Sequence, residues 1–229
     1  LEEVFVSRLL AILMTITLSP VLLLVALLIK LESPGPAIFT QKRVGQFGRL
    51  FTIYKFRTMQ IGTPDLPSDK VGEGDPRFTK SGKFLRRFSI DEFPQLFNII
   101  KGEMVFIAPR PALHNQHELN AMRHMRGIDV LKPGITGWAQ VNGRDSIPLE
   151  TKVELDKYYL DFHNWQLDLK ILWLTFFKTT TGEGLYNAQL AVDRNRARAQ
   201  DHATIDYESG VLAEKKAVVA AGKEDSRSA

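Results

Sequence analysis

The sequence predicts an α+β protein, mainly helical, whose N-terminus is embedded in a membrane. Three observations carry that prediction. Leu9 to Ile29 is a run of 21 uncharged, mostly apolar residues between Arg8 and Lys30. Ala37 to Gln41 and Leu50 to Phe56 are short strand-like runs on either side of a loop containing Gly45 and Gly48, which suggests a small β-hairpin. Ile90, Phe93, Leu96, Phe97 and Ile100 recur at offsets of 3, 6, 7 and 10, the spacing of one helix face.

At about 1.5 Å per residue, a helix over the apolar run just crosses a hydrocarbon core of about 30 Å. A cleaved secretory signal has a shorter apolar stretch and a small-residue cleavage site, whereas Lys30-Leu31-Glu32 follows here. Ser19-Pro20 sits at the centre of the run, where proline removes one backbone hydrogen bond and crowds the carbonyl four residues back. Two geometries follow: a kinked helix that still spans, or a break that returns the chain to the face it entered. The hydroxyls of Thr15, Thr17 and Ser19 are at hand for the freed polar groups. Positive charge after residue 30 far exceeds that before residue 9, which puts the bulk of the protein on the cytoplasmic side.

Ser33-Pro34-Gly35-Pro36 is a rigid exit turn leading into the hairpin, and Gly62 to Asp75 reads as a surface loop. The helical pattern runs between Phe84 and Ile107, Pro133 to Gly137 is a turn cluster, and a further helix is expected from Leu149 to Leu160. Leu167 to Phe177, flanked by Trp165, has 11 residues with Asp168 and Lys170 among them, too short and too charged to span. It reads first as core and second as an amphipathic helix at the membrane interface. Beyond Asp193 the chain is polar, Ala-rich and poor in aromatics, the composition of a frayed or disordered tail. The expected organisation is a membrane-anchoring helix over 1–31, a catalytic domain over 32–192 and a tail over 193–229.

The composition excludes several classes. With 229 residues and 44% hydrophobic content, a real core is affordable, and with no cysteine there is no disulfide framework, Cys-ligated metal or thiol nucleophile. Any nucleophile is oxygen or nitrogen. The net charge of +4 hides an asymmetry, because residues 30–126 hold 16 basic and 9 acidic side chains. Such a stretch calls for anionic partners. His114, His117 and His124 lack a zinc-ligand spacing, and no Walker A, dinucleotide or nucleophile-elbow motif occurs.

The chemistry concentrates in Ser89-Ile90-Asp91-Glu92-Phe93-Pro94, preceded by Arg86-Arg87. Ser89 with Glu92 fits a helix capping box, a purely structural reading of equal weight. Adjacent acids beside arginines at a helix start can equally hold a divalent cation and a polyphosphate, with one carboxylate attacking phosphorus. Lys55 and Arg57, two apart on a strand, share a face opposite Phe56. Pro109-Arg110-Pro111 fixes the backbone around one guanidinium, a planar fork for phosphate or simply a rigid turn. A non-catalytic, membrane-anchored basic module binding acidic lipids is the competing reading, and the Asp91-Glu92 pair, unwelcome on a basic surface, discriminates between them.

Gln41-Lys42-Arg43-Val44-Gly45, Tyr54 to Met59, Asp75 to Thr79, Leu85-Arg86-Arg87 leading into Ser89 to Leu96, Pro109-Arg110-Pro111 and Lys132 to Trp138 occur in the order seen in bacterial sugar transferases. From about Leu9 to Leu174 the chain resembles these monotopic phosphoglycosyl transferases, which begin glycan assembly on a polyprenyl phosphate. The resemblance implies a re-entrant helix broken at Ser19-Pro20, with the catalytic domain at the cytoplasmic face of the bacterial inner membrane. It implies Asp91 as nucleophile and Glu92, with Asp91, as the Mg²⁺ ligands. A UDP-sugar would lose UMP to form an aspartyl phosphosugar, which passes to undecaprenyl phosphate. Lys55, Arg57, Arg86 and Arg87 would offset phosphate charge, and Pro109, Arg110 and Pro111 would hold the nucleotide. It leaves no role for nucleic acid and allows a homodimer. Larger relatives carry extra membrane helices and a further domain ahead of this unit; their absence resembles the minimal form, or a shortened chain. Ile90, Phe93, Val105-Phe106 and Ala108 depart from the family pattern, and Ala108 is expected to alter the backbone or sugar pocket locally.

Overall fold

A computed structural model describes residues 2–64, 75–143 and 147–181, which all fall within one compact unit. The expected tail over 193–229 and most of the Gly62 to Asp75 loop lie outside the described residues.

The chain begins with α1 (Glu2–Glu32), a single helix that contains Pro20. The expected break at Ser19-Pro20 does not interrupt it, for a local reason. Proline at 20 leaves the Ile16 carbonyl without its helical donor, and the Ser19 hydroxyl donates to that carbonyl at 2.7 Å. One face of α1 packs on the rest of the chain in two patches. Ala11, fully buried, joins Phe51, Ile53, Leu96, Ile99 and Met104, with Met14 and Leu18 alongside. Ile29 joins Phe56 and Leu85, with Leu22, Val25 and Ala26 alongside. The spacing of 11, 14, 18, 22, 25 and 29 is the stripe by which a helix lies along a surface. Polar contacts hold both ends: Arg8 Nη2 donates to the Lys101 carbonyl at 3.1 Å, and Glu32 accepts the Ser81 N–H at 3.0 Å. The opposite face, including Phe5, Ile16, Leu23, Leu24 and Leu31, is exposed apolar surface.

β1 (Ile38–Val44) and β2 (Leu50–Phe56) form the expected antiparallel hairpin, with Ile38 opposite Phe56 and Val44 opposite Leu50. The helical stretch expected between Phe84 and Ile107 is divided into α2 (Gly82–Arg87), a 3₁₀ turn (Ile90–Gln95) and α3 (Leu96–Lys101). Two residues divide it. Ser89 takes the left-handed conformation, φ 56°, and Pro94 has no N–H to extend a ladder.

β3 (Val105–Ile107) pairs in parallel with β4 (Gly134–Thr136), a second small sheet that periodicity did not reveal. β4 is where glycine matters: a Cβ on Gly134 would stand 2.3 Å from the Ala108 nitrogen, and one on Gly137 2.3 Å from the Ala108 oxygen. α4 (His117–Met125), α5 (Trp138–Val141) and α6 (Leu149–Phe162) follow. Leu119 of α4 and Val153 of α6 share a core cluster with Ala112 and Ile128.

α7 (Trp165–Thr181) carries the second apolar run and divides it between a buried edge and an exposed one. Ile171 is fully buried and Thr175 meets Thr136 at 2.7 Å, while Trp165, Leu169, Leu172, Trp173 and Phe176 stay exposed. The helix is thus core along one edge and an exposed, tryptophan-bearing apolar face along the other, the pattern of an interface helix.

Candidate active site

The acid pair is presented by the 3₁₀ turn that follows the left-handed Ser89. A serine in this region is held against a cost on the order of 1 kcal/mol, and here it turns the chain out of α2 so that Ile90 packs by Ile29, Phe56 and Leu85. Asp91 and Glu92 then face a cavity of about 760 Å³. The capping-box alternative is overturned: Ser89 makes no side-chain cap bond, and the Glu92 carboxylate is engaged elsewhere.

Glu92 is held from two elements. Lys55 at the end of β2 donates to Oε1 at 3.0 Å, and the Arg110 fork donates to Oε2 at 3.0 Å and Oε1 at 2.5 Å. Burial works to raise this carboxyl, but Arg110 and then Lys55 overcome it and keep Glu92 well below the usual carboxylate range. Asp91, next in the chain, is treated in the opposite way. Among the described residues no donor hydrogen-bonds to its carboxylate, and burial, opposed by Lys55 and assisted by the charge of Glu92, pushes it up to about 6. Burial also lowers the Lys55 ammonium from its ordinary value, against the pull of Glu92. The pair therefore consists of one fixed, charged carboxylate and one without a hydrogen-bonded partner, adjacent in a single wall.

The other expected site residues divide. Arg86 and Pro111 line the same cavity, and the Arg86 guanidinium lies 5.4 Å from the Phe78 ring centre. Arg57 reaches the cavity wall, but its Nη groups donate to the Pro34 carbonyl at 2.5 Å and to the Ser33 carbonyl and hydroxyl at 2.9 Å. It clasps the exit of α1 and directs no Nη fork at the acids. Arg87 is exposed over Phe88, away from the cavity, and Pro109 is buried behind Arg110 with its carbonyl bonded to the Gly134 N–H at 3.0 Å. Ala108 is buried there too, its N–H bonded to the Thr136 carbonyl at 2.9 Å, so the methyl group is absorbed in the backbone packing.

Sequence reasoning missed a second set of polar residues on the cavity wall: Gln41, Arg43, Arg123, Gln140, Lys152 and Asp156. Gln41 and Arg43 point the same way from β1, both buried and joined at 2.6 Å, whereas the strand expected over 37–41 stops short of Arg43. Nothing in sequence links Arg123 to Asp156.

Among the described residues no cluster of three or more His, Asp, Glu or Cys side chains exists. Two carboxylates suit Mg²⁺ all the same, since that ion keeps waters and takes substrate phosphates beside one or two carboxylates. Among the described residues the Asp91 carboxylate accepts no hydrogen bond, and Glu92 has an oxygen with a single donor, so the pair has lone pairs to offer.

Comparison with known proteins identifies relatives of the chain. The chain is 43% identical over 170 residues to an uncharacterized sugar transferase of Bacillus subtilis (strain 168), EpsL, covering 73% of this chain and 81% of that one. It is 40% identical over 184 residues to a UDP-glucose:undecaprenyl-phosphate glucose-1-phosphate transferase of Escherichia coli (strain K12), covering 77% and 40%. It is 41% identical over 172 residues to a UDP-N-acetylgalactosamine-undecaprenyl-phosphate N-acetylgalactosaminephosphotransferase of Aeromonas hydrophila, covering 72% and 40%. The chain thus spans less than half the length of the latter two. The family model for bacterial sugar transferases matches residues 3–182, and the chain belongs to that family.

Proposed function

We propose that the protein transfers a sugar-1-phosphate from a UDP-sugar to a polyprenyl phosphate at the cytoplasmic face of the bacterial inner membrane, as the first membrane step of glycan assembly. The observation that carries this reading is the opposite treatment of two adjacent carboxylates. Glu92, fixed by Lys55 and Arg110, holds charge in place; Asp91, buried and without a hydrogen-bonded partner among the described residues, keeps its lone pairs for attack. A basic lipid-binding module has no use for this arrangement. The relatives' names carry different sugars, so the donor is proposed only as a UDP-sugar.

In the first half-reaction an Asp91 oxygen attacks the β-phosphorus and the bond to the bridging oxygen breaks. UMP leaves and an aspartyl phosphosugar remains. In the second, a phosphate oxygen of the polyprenyl phosphate attacks the same phosphorus and the acyl phosphate bond breaks. Asp91 is regenerated as a carboxylate and the polyprenyl diphosphosugar departs. Lys55, Arg86 and Arg110 surround the acids with the positive charge that phosphoryl transfer demands. Mg²⁺ held by Asp91 and Glu92 with diphosphate oxygens would add neutralisation of the developing charge.

Asp91→Asn, assayed with UDP-sugar, Mg²⁺ and polyprenyl phosphate in nanodiscs, is expected to abolish UMP release while membrane association persists. Retained turnover would overturn the covalent mechanism. For topology we propose that α1 lies on one side of the bilayer without crossing it, both of its ends at the same face, supported by the docking of Arg8, Ala11, Ile29 and Glu32 on one domain. Single cysteines at positions 4 and 40 are then both shielded from a periplasmic thiol reagent, and labelling at 4 alone would mean a spanning helix.

A further inference from the structure

Behind the acid pair the cavity wall carries a second buried charge pair. α4 contributes Arg123 and α6 contributes Asp156, which is 1% exposed. Arg123 Nε and Nη2 both donate to the same Asp156 oxygen, at 3.0 and 2.5 Å, and its remaining nitrogen, Nη1, donates to the Arg110 carbonyl at 2.8 Å. That last bond completes a set. All three carbonyls of Pro109-Arg110-Pro111 are held, each from a different element: Pro109 by the Gly134 N–H of β4 at 3.0 Å, Arg110 by Arg123 of α4, and Pro111 by Arg43 of β1 at 3.1 Å.

A buried ion pair is seldom more stabilising than apolar packing of the same volume, so a geometric duty is the better account of its presence. The duty is visible here. Pro111 restricts the backbone of Arg110, the residue before it, and the carbonyl bond removes the rotation that remains. With the backbone pinned, the Arg110 side chain starts from one fixed Cα–Cβ direction, from which its fork meets Glu92.

We propose that Arg123, oriented by Asp156, is a positioning residue that aims Arg110 at Glu92. The proposal rests on the functional reading above in one respect, that Glu92 serves the reaction. Arg123→Lys keeps a cation opposite Asp156, but one ammonium on a shorter reach cannot serve both the carboxylate and the carbonyl. Its kcat for UMP release is expected to fall about ten- to a hundredfold, the cost of a misplacement near 1 Å, with KM for the UDP-sugar within about threefold of the parent value. Introduced into Arg110→Gln, the same substitution is expected to cost less than about twofold more, because both act through one group. An equal loss in both backgrounds, a raised KM at unchanged kcat, or a lowered Tm with kcat intact would each overturn the proposal. Asp156→Asn repeats the test from the other partner.

A readout that needs no turnover separates this proposal from the function it rests on. The guanidinium nitrogens of Arg110, identified by ¹⁵N NMR through their loss in Arg110→Lys, are expected to show slow rotation in the parent and fast rotation in Arg123→Lys. A parent that releases no UMP but shows this change loses the function and keeps the positioning role. An active parent whose Arg110 signals are unmoved in Arg123→Lys loses the positioning role and keeps the function.

Discussion

The exit of α1 and the acid pair of the cavity each engage an arginine, and the two do opposite work. At the exit, Arg57 spends its nitrogens on the neutral oxygens of Ser33 and Pro34. Nothing there needs its charge, and the fork serves as a clasp between the exit of α1 and the end of β2. In the cavity, Arg110 turns the same fork on Glu92, a charged group that burial would otherwise neutralise. The difference teaches that a basic excess is not one resource: part of it closes backbone turns, and only the part facing carboxylates shapes the chemistry.

Substituting each arginine in the same way tests this contrast most sharply. Arg110→Gln is expected to lower kcat by about 10² to 10³, the usual cost of removing one preorganised charge donor from a phosphoryl site. Arg57→Gln is expected to leave kcat within about fivefold and to cost about 2 kcal/mol of stability, through carbonyls left without a charged donor. Parallel kinetics and thermal melts check both, and a large kcat loss in Arg57→Gln would erase the distinction.

The pH response gives a second, intermediate test. With Asp91 as the proposed nucleophile, a carboxyl that burial pushes up to about 6 is expected to make kcat/KM rise with pH through an acid limb near that value, since attack requires the ionised form. The same shift bears on stability with a definite sign. A folded value raised above the unfolded one leaves the native state favoured below the unfolded value, and that favour is lost as pH rises through the folded one. Asp91→Asn is therefore expected to melt higher than the parent above pH about 6, with the gap closing below pH about 4. A gap independent of pH would place the cost elsewhere.

The smallest effect belongs to α1. Ser19→Ala removes the hydroxyl that supplies the donor missing at Pro20, and about 1 kcal/mol of stability should go with it while activity stays. No change in the melt would mean that the Ile16 carbonyl finds another partner.

The membrane run, the hairpin, α6 and the acid pair were legible in the sequence because each is a local pattern. The stretch from Phe84 to Ile107 was misread because its apolar spacing is truly helical, yet a left-handed Ser89 and Pro94 divide it into three short elements. Parallel β3 and β4, three residues each, were too short to show a period. Arg57, expected on a strand face, and Arg110, expected between two prolines, both offer a guanidinium, and no spacing tells which one meets a carboxylate.

By itself the sequence determined that the chain carries an apolar run long enough for a membrane, that it has no thiol to serve as nucleophile, and that two acids sit side by side within a basic stretch. These are properties of composition and near neighbours. Only the tertiary structure decided which cations reach Glu92, which arginine is spent on the exit of α1, and that Arg123 stands behind Arg110. The physical reason is separation: Lys55 lies 37 residues from Glu92, Arg110 18 from it and Asp156 33 from Arg123. Contacts of that range exist only once the helices and the hairpin have packed, and the same packing buries Asp91 and raises its pKa.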